Sequence, residues 1–283
     1  MTVIAHLSDL HIGPVPFPLE PPLRLKPVLG WINWARQRGA HDMRRLAATL
    51  AAVRGAGAGH VLVTGDLIEL GQAAEWRAAA EALATLGPAA EVAWAPGNHD
   101  LYTPDAPARI RAGLAPWLAP AGEDGDLRRH FPRLDQVGDV ALVTLCSGTP
   151  TWLFSAEGEL GAAQRERLAA LLGGLDRQRC FPVIAVHHPP FAPGLSRLKR
   201  LRDGAALLDL AARHGCPVIL HGHLHKACRA EWRDEEGRSV ALVGAASASA
   251  AGHGHDDPAS FNLLTVRRQA GDFAWTVETR VTG

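Results

Sequence analysis

Short apolar runs alternate with longer stretches of helical periodicity in the first part of the chain. The runs typical of buried strands are Val3–Leu7, His60–Thr64 and Glu91–Ala95. Between them, leucine and alanine recur at helical spacing over Asp42–Val53 and Ala73–Leu86. A strand–helix–strand–helix–strand order favours parallel βαβ units. The pattern therefore predicts an α/β fold.

The second part of the chain continues this order and then changes. Strands are predicted at Val140–Cys146, Phe181–Val186 and Pro217–Leu220, and helices at Ala162–Leu172 and Asp203–His214. Three more predicted strands, Val240–Ala245, Phe261–Arg267 and Phe273–Arg280, have no helix between them, so this part is expected to be more antiparallel. Because no internal repeat or flexible linker interrupts the chain, residues 1–283 are predicted to form one domain.

Two segments depart from the regular pattern. The insertion Gly13–Gln37 contains the prolines Pro14, Pro16, Pro18, Pro21, Pro22 and Pro27. Their fixed φ angles and missing N–H groups exclude a helix or central strand across the first half, whereas Val28–Trp34 could form a short helix. The other segment is the basic run Leu195–Arg202, which follows the proline-rich stretch Pro189–Gly194. Both are expected to border the functional site.

Composition narrows the functional classes. The chain has 283 residues, of which 47% are hydrophobic, and its 29 basic and 29 acidic residues balance. This balance argues against nucleic acid as a partner. The four cysteines form no CxxC pair, and no apolar stretch reaches the length of a membrane span. No signal peptide is expected, because the first strand begins at about Thr2 and leads directly to Asp9 and His11, which cleavage would remove. A reduced, cytoplasmic protein is expected.

Five short polar clusters stand at or just after the predicted strands. They are Asp9-Leu10-His11, Gly65-Asp66, Gly97-Asn98-His99-Asp100, His187-His188-Pro189 and Gly222-His223-Leu224-His225. Clusters so far apart can converge only if the strand ends line one edge of a sheet, where open α/β sheets place their active sites. Each cluster alone is compatible with an ordinary turn or surface loop, but the whole set indicates a metal site.

The residue types suit a centre with two metal ions. In an extended chain, residues i and i+2 point to the same side, so Asp9 and His11 could reach one ion, and His223 and His225 repeat that spacing. A carboxylate such as Asp66 can bridge two cations. Mixed oxygen and nitrogen ligation suits Mn, Fe or Zn better than Ca or Mg.

The five clusters, in this order, closely resemble the motifs of the calcineurin-like metallophosphoesterase family, over Ile4–His225. The resemblance implies a two-sheet β-sandwich flanked by helices, in four αββα layers. It implies that one metal binds Asp9, His11, Asp66 and His225, and that the second binds Asp66, Asn98, His187 and His223. His188 is then expected to support the site from outside the ligand set.

The same resemblance implies a mechanism. Two cations generate a bridging hydroxide that attacks phosphorus in line with the leaving oxygen. His99 is implied to protonate the leaving group or to stabilise the transition state. Asp100 is expected either to orient the His99 imidazole or to serve as the N-cap of a helix that begins near Leu101.

The leading functional hypothesis is a phosphodiesterase that acts on cyclic nucleotides or other small phosphodiesters. An alternative is a lipid-linked pyrophosphate hydrolase of the UDP-diacylglucosamine type, although such relatives commonly carry Arg at the position of His99. The presence of His99 and of the complete ligand set argues against a non-catalytic metal-dependent scaffold.

The aromatic insertion and the basic run have two interpretations. They could contact a substrate with an apolar tail and a phosphate, or a membrane surface. Alternatively, the aromatic residues pack in the core and the charged residues are solvated. The cluster Gly252–Asp257 is predicted to be a solvated loop.

Overall fold

Strands and helices alternate in the computed structural model, which describes residues 1–13, 15, 25–36, 39–118, 126–149, 155–252 and 256–282. The strands are β1 (Thr2–Leu7), β2 (His60–Val63), β3 (Val92–Trp94), β4 (Arg133–Val137), β5 (Val140–Thr144), β6 (Phe181–Ala185), β7 (Val218–His221), β8 (Arg229–Arg233), β9 (Ser239–Gly244), β10 (Ser260–Gln269) and β11 (Asp272–Val281). The α-helices are α1 (Leu25–Arg36), α2 (Met43–Gly55), α3 (Ala73–Leu86), α4 (Ala106–Leu114), α5 (Ala162–Gly173) and α6 (Gly204–Arg213).

These strands form two mixed sheets. The first has the order β11-β10-β1-β2-β3, and the second has the order β4-β5-β6-β7-β9-β8. In the first sheet β1, β2 and β3 are parallel and β10 is antiparallel to both of its neighbours. In the second, β5, β6, β7 and β9 are parallel, and the edge strands β4 and β8 are antiparallel. The predicted α/β fold with two sheets is confirmed.

The core forms three layers, because successive side chains of a strand point to opposite faces of its sheet. Ile4 of β1 packs between the two sheets with Leu220 of β7. Its neighbour Ala5 faces the other way, into a core with residues of α2, α3 and α4. The second sheet packs against α5 and α6 on its outer face. The central strands are therefore buried on both faces, which explains their continuous apolar runs.

Some elements were not predicted. The edge strands β4 and β8 carry many charged residues, and β8 is mostly exposed, so neither has the apolar signal of a buried strand. Helix α4 was also not predicted.

Helix α1 begins at Leu25, earlier than the predicted start near Val28, because Pro27 lies in the first turn, where an N–H has no intrahelical partner. The insertion's other prolines lie outside the described residues. None of the helices in the described ranges is long and apolar enough to cross a membrane.

The sequence predicts that the polar clusters lie at one edge of a single sheet. In the structure they lie at the edges of both sheets. Asp9, Asp66 and Asn98 follow β1, β2 and β3, whereas His187 and His223 follow β6 and β7. The two sheets stack face to face through a shared apolar layer. Their carboxyl edges therefore adjoin, and the site lies across both.

Candidate metal centre

The seven predicted ligand residues fall into two adjoining groups. In the first, His225 Nε2 lies 3.4 Å from Asp9 Oδ1 and 3.2 Å from His11 Nε2. Asp9, His11 and Asp66 also bring one potential ligand atom each within 4.8 Å of one another. Asp9 is fully buried, and His11 and Asp66 are nearly so.

The second group surrounds one nitrogen atom. His187 Nε2 lies 3.2 Å from Asp66 Oδ2, 3.2 Å from Asn98 Oδ1 and 3.2 Å from His223 Nδ1. The other ring nitrogen of His187 donates a hydrogen bond of 2.6 Å to the carbonyl oxygen of Thr64. This bond places the Nε2 lone pair toward the other three side chains.

The backbone brings these side chains together in a way that the residue spacing did not indicate. Asp9 and His11 lie beyond the end of β1 at Leu7, and His223 and His225 lie beyond the end of β7 at His221. Neither pair therefore has the extended conformation that was expected. Five residues of the set instead have positive φ angles: Asp9 (52°), His11 (44°), Asp66 (50°), His223 (70°) and His225 (53°). Non-glycine residues rarely adopt this left-handed conformation, and it concentrates at functional sites.

Two glycines permit the close approach of these loops. A Cβ atom at Gly97 would collide with the Asp66 carboxylate, and one at Gly222 would overlap the Ser8 hydroxyl and crowd Asp9. Glycine is therefore required at both positions, because a side chain there would clash with these neighbours.

Asp100 has partners different from those expected. Its Oδ2 accepts hydrogen bonds of 2.9 Å from the backbone amides of Asp66 and Gly97, and its Oδ1 accepts one of 2.8 Å from Leu67. It neither contacts the His99 imidazole nor caps a helix, since α4 begins only at Ala106. The buried carboxylate holds the loops after β2 and β3 together.

The partner of His99 is Glu69, which the sequence did not single out. His99 Nδ1–H donates a hydrogen bond of 2.8 Å to the carbonyl oxygen of Glu69, and the Glu69 carboxylate lies 3.6 Å from the same nitrogen. The ring of Tyr102 stacks on that of His99, with centroids 5.7 Å apart. Glu69 also lies 3.1 Å from His11 Nδ1 and 3.7 Å from His41 Nε2. A lone Glu three residues after Asp66 matches none of the five motifs, so only the structure identifies it.

Further contacts support the ligand groups from outside. His188 Nδ1 lies 2.8 Å from Ser147 Oγ, and its Nε2 lies 3.1 Å from the carbonyl oxygen of Ala156, so both ring nitrogens have protein partners. Asp256 Oδ2 lies 3.1 Å from His225 Nδ1. The prediction of a solvated loop is therefore wrong for Asp256, which is half-buried. His253 and His255 of that loop lie outside the described residues.

The carboxylates differ in their electrostatic environments. Burial alone would raise the pKa of Asp66, but nearby His187 and His99 outweigh it and hold the pKa well below its usual value. Burial also opposes ionisation of Glu69, yet His11 and the other imidazoles lower its pKa to about 2. For Asp100, burial and the negative charge of Asp66 raise the pKa to about 6 despite its three amide donors.

The donor set fits metal ions. Asp9 Oδ1, an atom of the first group, is buried and has no hydrogen-bond partner among the described residues. Ligand atoms about 2.1 Å from a tetrahedral cation are separated by about 3.4 Å, close to the 3.2 Å spacings around His187 Nε2. Imidazole and carboxylate donors in such groups suit transition metals.

A cavity of about 190 Å³ opens onto both groups. One wall includes Asn33 and Trp34 of α1, together with Tyr102. Another wall includes Ala156, whose backbone amide donates a hydrogen bond of 2.8 Å to the carbonyl oxygen of Leu198 in the basic run. The insertion thus lines the site through α1, as the sequence predicted, whereas the basic run contributes no residue to the described lining and contacts it only through Ala156.

Comparison with known proteins gives the family. The family model of the calcineurin-like phosphoesterases matches residues 2–227. No curated protein matches the sequence significantly. Among solved structures, a dimetal phosphatase from Danio rerio has a TM-score of 0.60 at 15% identity, over 100% of this chain and 99% of its own.

Two larger proteins contain a similar fold. A purple acid phosphatase from yellow lupin (Lupinus luteus) has a TM-score of 0.56 at 15% identity, over 99% of this chain and 51% of its own. A 5′-nucleotidase precursor from Thermus thermophilus has a TM-score of 0.54 at 17% identity, over 99% of this chain and 54% of its own. These identities establish likeness of fold alone, whereas the family match covers most of the chain. The protein belongs to the calcineurin-like phosphoesterase family and is a metal-dependent phosphoric ester hydrolase.

Proposed function

We propose that this protein hydrolyses small phosphodiesters, with cyclic nucleotides among the candidates. The observation that carries the proposal is the charge of the cavity. Its described lining includes five histidines and two carboxylates, Asp66 and Glu69, but neither lysine nor arginine. A phosphodiester carries one negative charge, whereas a monoester carries between one and two at neutral pH because its second pKa is near 6. Because no basic side chain of this lining adds to the charge of the two metal ions proposed below, the monoanionic diester is favoured over the more highly charged monoester.

The size of the cavity supports a small reacting group. A volume of about 190 Å³ corresponds to roughly six water molecules at ~30 Å³ each. This is enough for a phosphoryl group with a compact substituent, while a larger substituent would extend out of the cavity.

The ligand assignment is part of the proposal. One cation would be held by Asp9, His11, Asp66 and His225, and the second by Asp66, Asn98, His187 and His223. Mn, Fe and Zn are the candidates for this mixed nitrogen and oxygen set. When bound, two such ions supply Lewis-acid activation of water and of the phosphoryl group.

The chain's own residues supply the proton chemistry. His99 lines the cavity but donates its Nδ1–H to the Glu69 carbonyl, so the Nε2 atom is left to serve the substrate. A protonated Nε2 can donate to the leaving oxygen, and the Glu69 carboxylate, 3.6 Å from Nδ1, stabilises positive charge on the ring. His99 is therefore assigned as the general acid, and Glu69 as the residue that positions it.

A substrate panel tests the proposal. Protein stripped by a chelator and reloaded with Mn, Fe or Zn is assayed with bis-p-nitrophenyl phosphate, p-nitrophenyl phosphate, cyclic nucleotides and UDP-diacylglucosamine. We expect kcat/KM for the diester to exceed that for the monoester at least tenfold. A preference for the monoester would contradict the proposal, and efficient cleavage of UDP-diacylglucosamine would establish the lipid-linked alternative. Two bound metals without hydrolysis of any substrate would indicate a scaffold.

We also propose that residues 1–283 act as one domain in a reducing compartment, the cytoplasm. Cys146, Cys180, Cys216 and Cys228 are all free thiols. Burial raises the pKa of the Cys146 and Cys216 thiols to about 12, so neither is poised for thiol exchange. Fractionation of cells that express the protein tests the compartment, and a membrane fraction that retains it would support contact of the basic run with lipid. Recovery outside the cytoplasm would contradict this part of the proposal.

A further inference from the structure

His41 is a cavity residue that none of the five motifs contains. It lies just before α2, and its backbone forms an isolated antiparallel bridge with Ala250, which is distant in sequence. The pairing is reinforced by the amide of Asp42, which donates a hydrogen bond of 2.8 Å to the carbonyl oxygen of Ser249. The side chain lines the same cavity as His11 and His99. Its place in the site is therefore fixed by backbone contacts on both sides.

The orientation of the His41 ring follows from its neighbours. Its Nδ1 atom lies 2.8 Å from Ser249 Oγ. The Ser249 hydroxyl also lies near Ser247 Oγ, but at 3.3 Å that acceptor is more distant than His41 Nδ1. If Ser249 donates to Nδ1, the proton of the neutral ring is on Nε2, which faces the Glu69 carboxylate at 3.7 Å. The other tautomer would turn a lone pair toward that carboxylate, so the Nε2–H form is favoured.

The Nε2–H group has capacity for another acceptor. Its 3.7 Å separation from Glu69 Oε1 exceeds a hydrogen bond, and the side chain is 14% exposed to the cavity. The ring packs on that of His11 with centroids 4.4 Å apart, and His99 packs on His11 with centroids 5.0 Å apart. His41 and His99 therefore both adjoin one ligand residue.

We propose that His41 is a substrate-binding residue whose Nε2–H donates a hydrogen bond to a phosphoryl oxygen of the ester. The inference rests on the proposed function and deepens it, because a second imidazole donor would serve in place of the missing lysine or arginine. His99 contacts the leaving oxygen, whereas His41 binds an oxygen that stays on phosphorus. Ser249 fixes the tautomer that makes this possible.

Three variants test the role of His41. His41→Leu removes the donor, His41→Gln keeps an N–H donor of similar reach, and Ser249→Ala leaves the ring without its orienting hydroxyl. The matched control is His214→Leu, at the C-terminal end of α6, where the chain turns toward the start of β7. Each protein is loaded with Mn, and its metal content and melting temperature are measured first.

The readouts are KM and kcat for bis-p-nitrophenyl phosphate and, independently of turnover, the affinity for inorganic phosphate by calorimetry. For His41→Leu we expect two bound metals, a phosphate affinity about 10- to 100-fold weaker and a KM raised in parallel, as for loss of a hydrogen bond to a charged group. His41→Gln should retain most of the affinity, Ser249→Ala should lie between the two, and His214→Leu should match the wild type.

The outcomes separate this inference from the proposed function. Unchanged phosphate affinity in His41→Leu, failure of the wild type to bind phosphate, or loss of metal from His41→Leu would each overturn the role of His41. A wild type that binds phosphate but hydrolyses no diester would contradict the proposed function alone, since the phosphate titration still tests His41.

Discussion

The backbone amide of His99 donates a hydrogen bond of 2.8 Å to the Asp66 carboxylate, although the two residues are 33 positions apart. The bond joins the loop after β2 to the loop after β3. It aims Asp66 between the two ligand groups, with Oδ2 3.2 Å from His187 Nε2. The same short loop thus carries His99, the residue proposed as the general acid, and holds the carboxylate proposed as the bridge.

Asp66→Asn tests that bridge. The amide keeps an oxygen for the His99 N–H but loses the negative charge that two cations would share. We expect both metal occupancy and hydrolysis to fall close to background, measured by elemental analysis and by turnover of bis-p-nitrophenyl phosphate. Asp105→Asn, at the N-cap position of α4, is the control and should behave like the wild type. Full activity with two metals in Asp66→Asn would refute the dinuclear assignment.

His99→Ala should separate catalysis from metal binding. Both metals should remain, and kcat should fall by about 10²–10⁴, the range for loss of a general acid. Glu69→Gln should lower kcat less, because the hydrogen bond to His99 uses the Glu69 backbone carbonyl and survives the substitution. Loss of metal from His99→Ala would show that a ligand had been taken for a catalyst.

Asp100→Asn should affect structure more than chemistry. An amide oxygen can accept from some of the three backbone N–H groups, but the NH₂ group would face another donor. We expect the free energy of unfolding to fall by about 1–3 kcal/mol, with weaker metal binding. At saturating metal, kcat should recover most of its wild-type value. A kcat that stays low with both metals bound would instead support the original expectation that Asp100 orients His99.

The basic run is expected to select substrates without performing the chemistry. Arg197, Lys199, Arg200 and Arg202 are all exposed, but Arg202 alone lies 3.3 Å from Glu157, the residue that follows Ala156 of the cavity lining. Replacing the first three with Gln should raise KM for an anionic natural substrate and leave kcat for a small artificial diester nearly unchanged.

Matched controls make this result specific. Arg54, Arg179 and Arg213 are exposed cations near the opposite edge of the strands, and their replacement by Gln removes the same charge. Arg202→Gln alone should affect both substrates, because it disturbs the wall that contains Ala156. If the triple variant of the basic run is indistinguishable from the control on every substrate, the run is an ordinary solvated surface.

The sequence identified much of the architecture because buried parallel strands leave a strong signal. The runs that became β1, β2, β6 and β7 are mostly apolar, and each is followed by a polar cluster. The edge strand β8 gave no such signal, since its side chains face solvent and its pairing depends on β9. Long-range pairing of that kind is invisible to local periodicity.

In the candidate site, too, some residues have a local sequence signal and others do not. Asp9 and His225 stand in recognisable clusters, so their proximity could be anticipated. Glu69 and His41 belong to no cluster: one follows a motif by three residues, and the other resembles a residue that precedes a helix. Asp100 was placed in the correct motif, but its partners depend on which amides the folded loops present. Hydrogen bonds between loops are properties of the tertiary structure and have no local pattern.

The left-handed backbone at Asp9, His11, Asp66, His223 and His225 has a consequence for engineering this enzyme. At about 1 kcal/mol for each such residue, the set would consume roughly 5 kcal/mol, comparable with the net stability of a whole domain. Glycine at these positions would relieve that strain and remove the ligands at the same time. A thermostability selection run on apoprotein would therefore favour variants that have discarded the active site. Libraries of this enzyme should be heated only with the metal ions present and with turnover as the survival criterion.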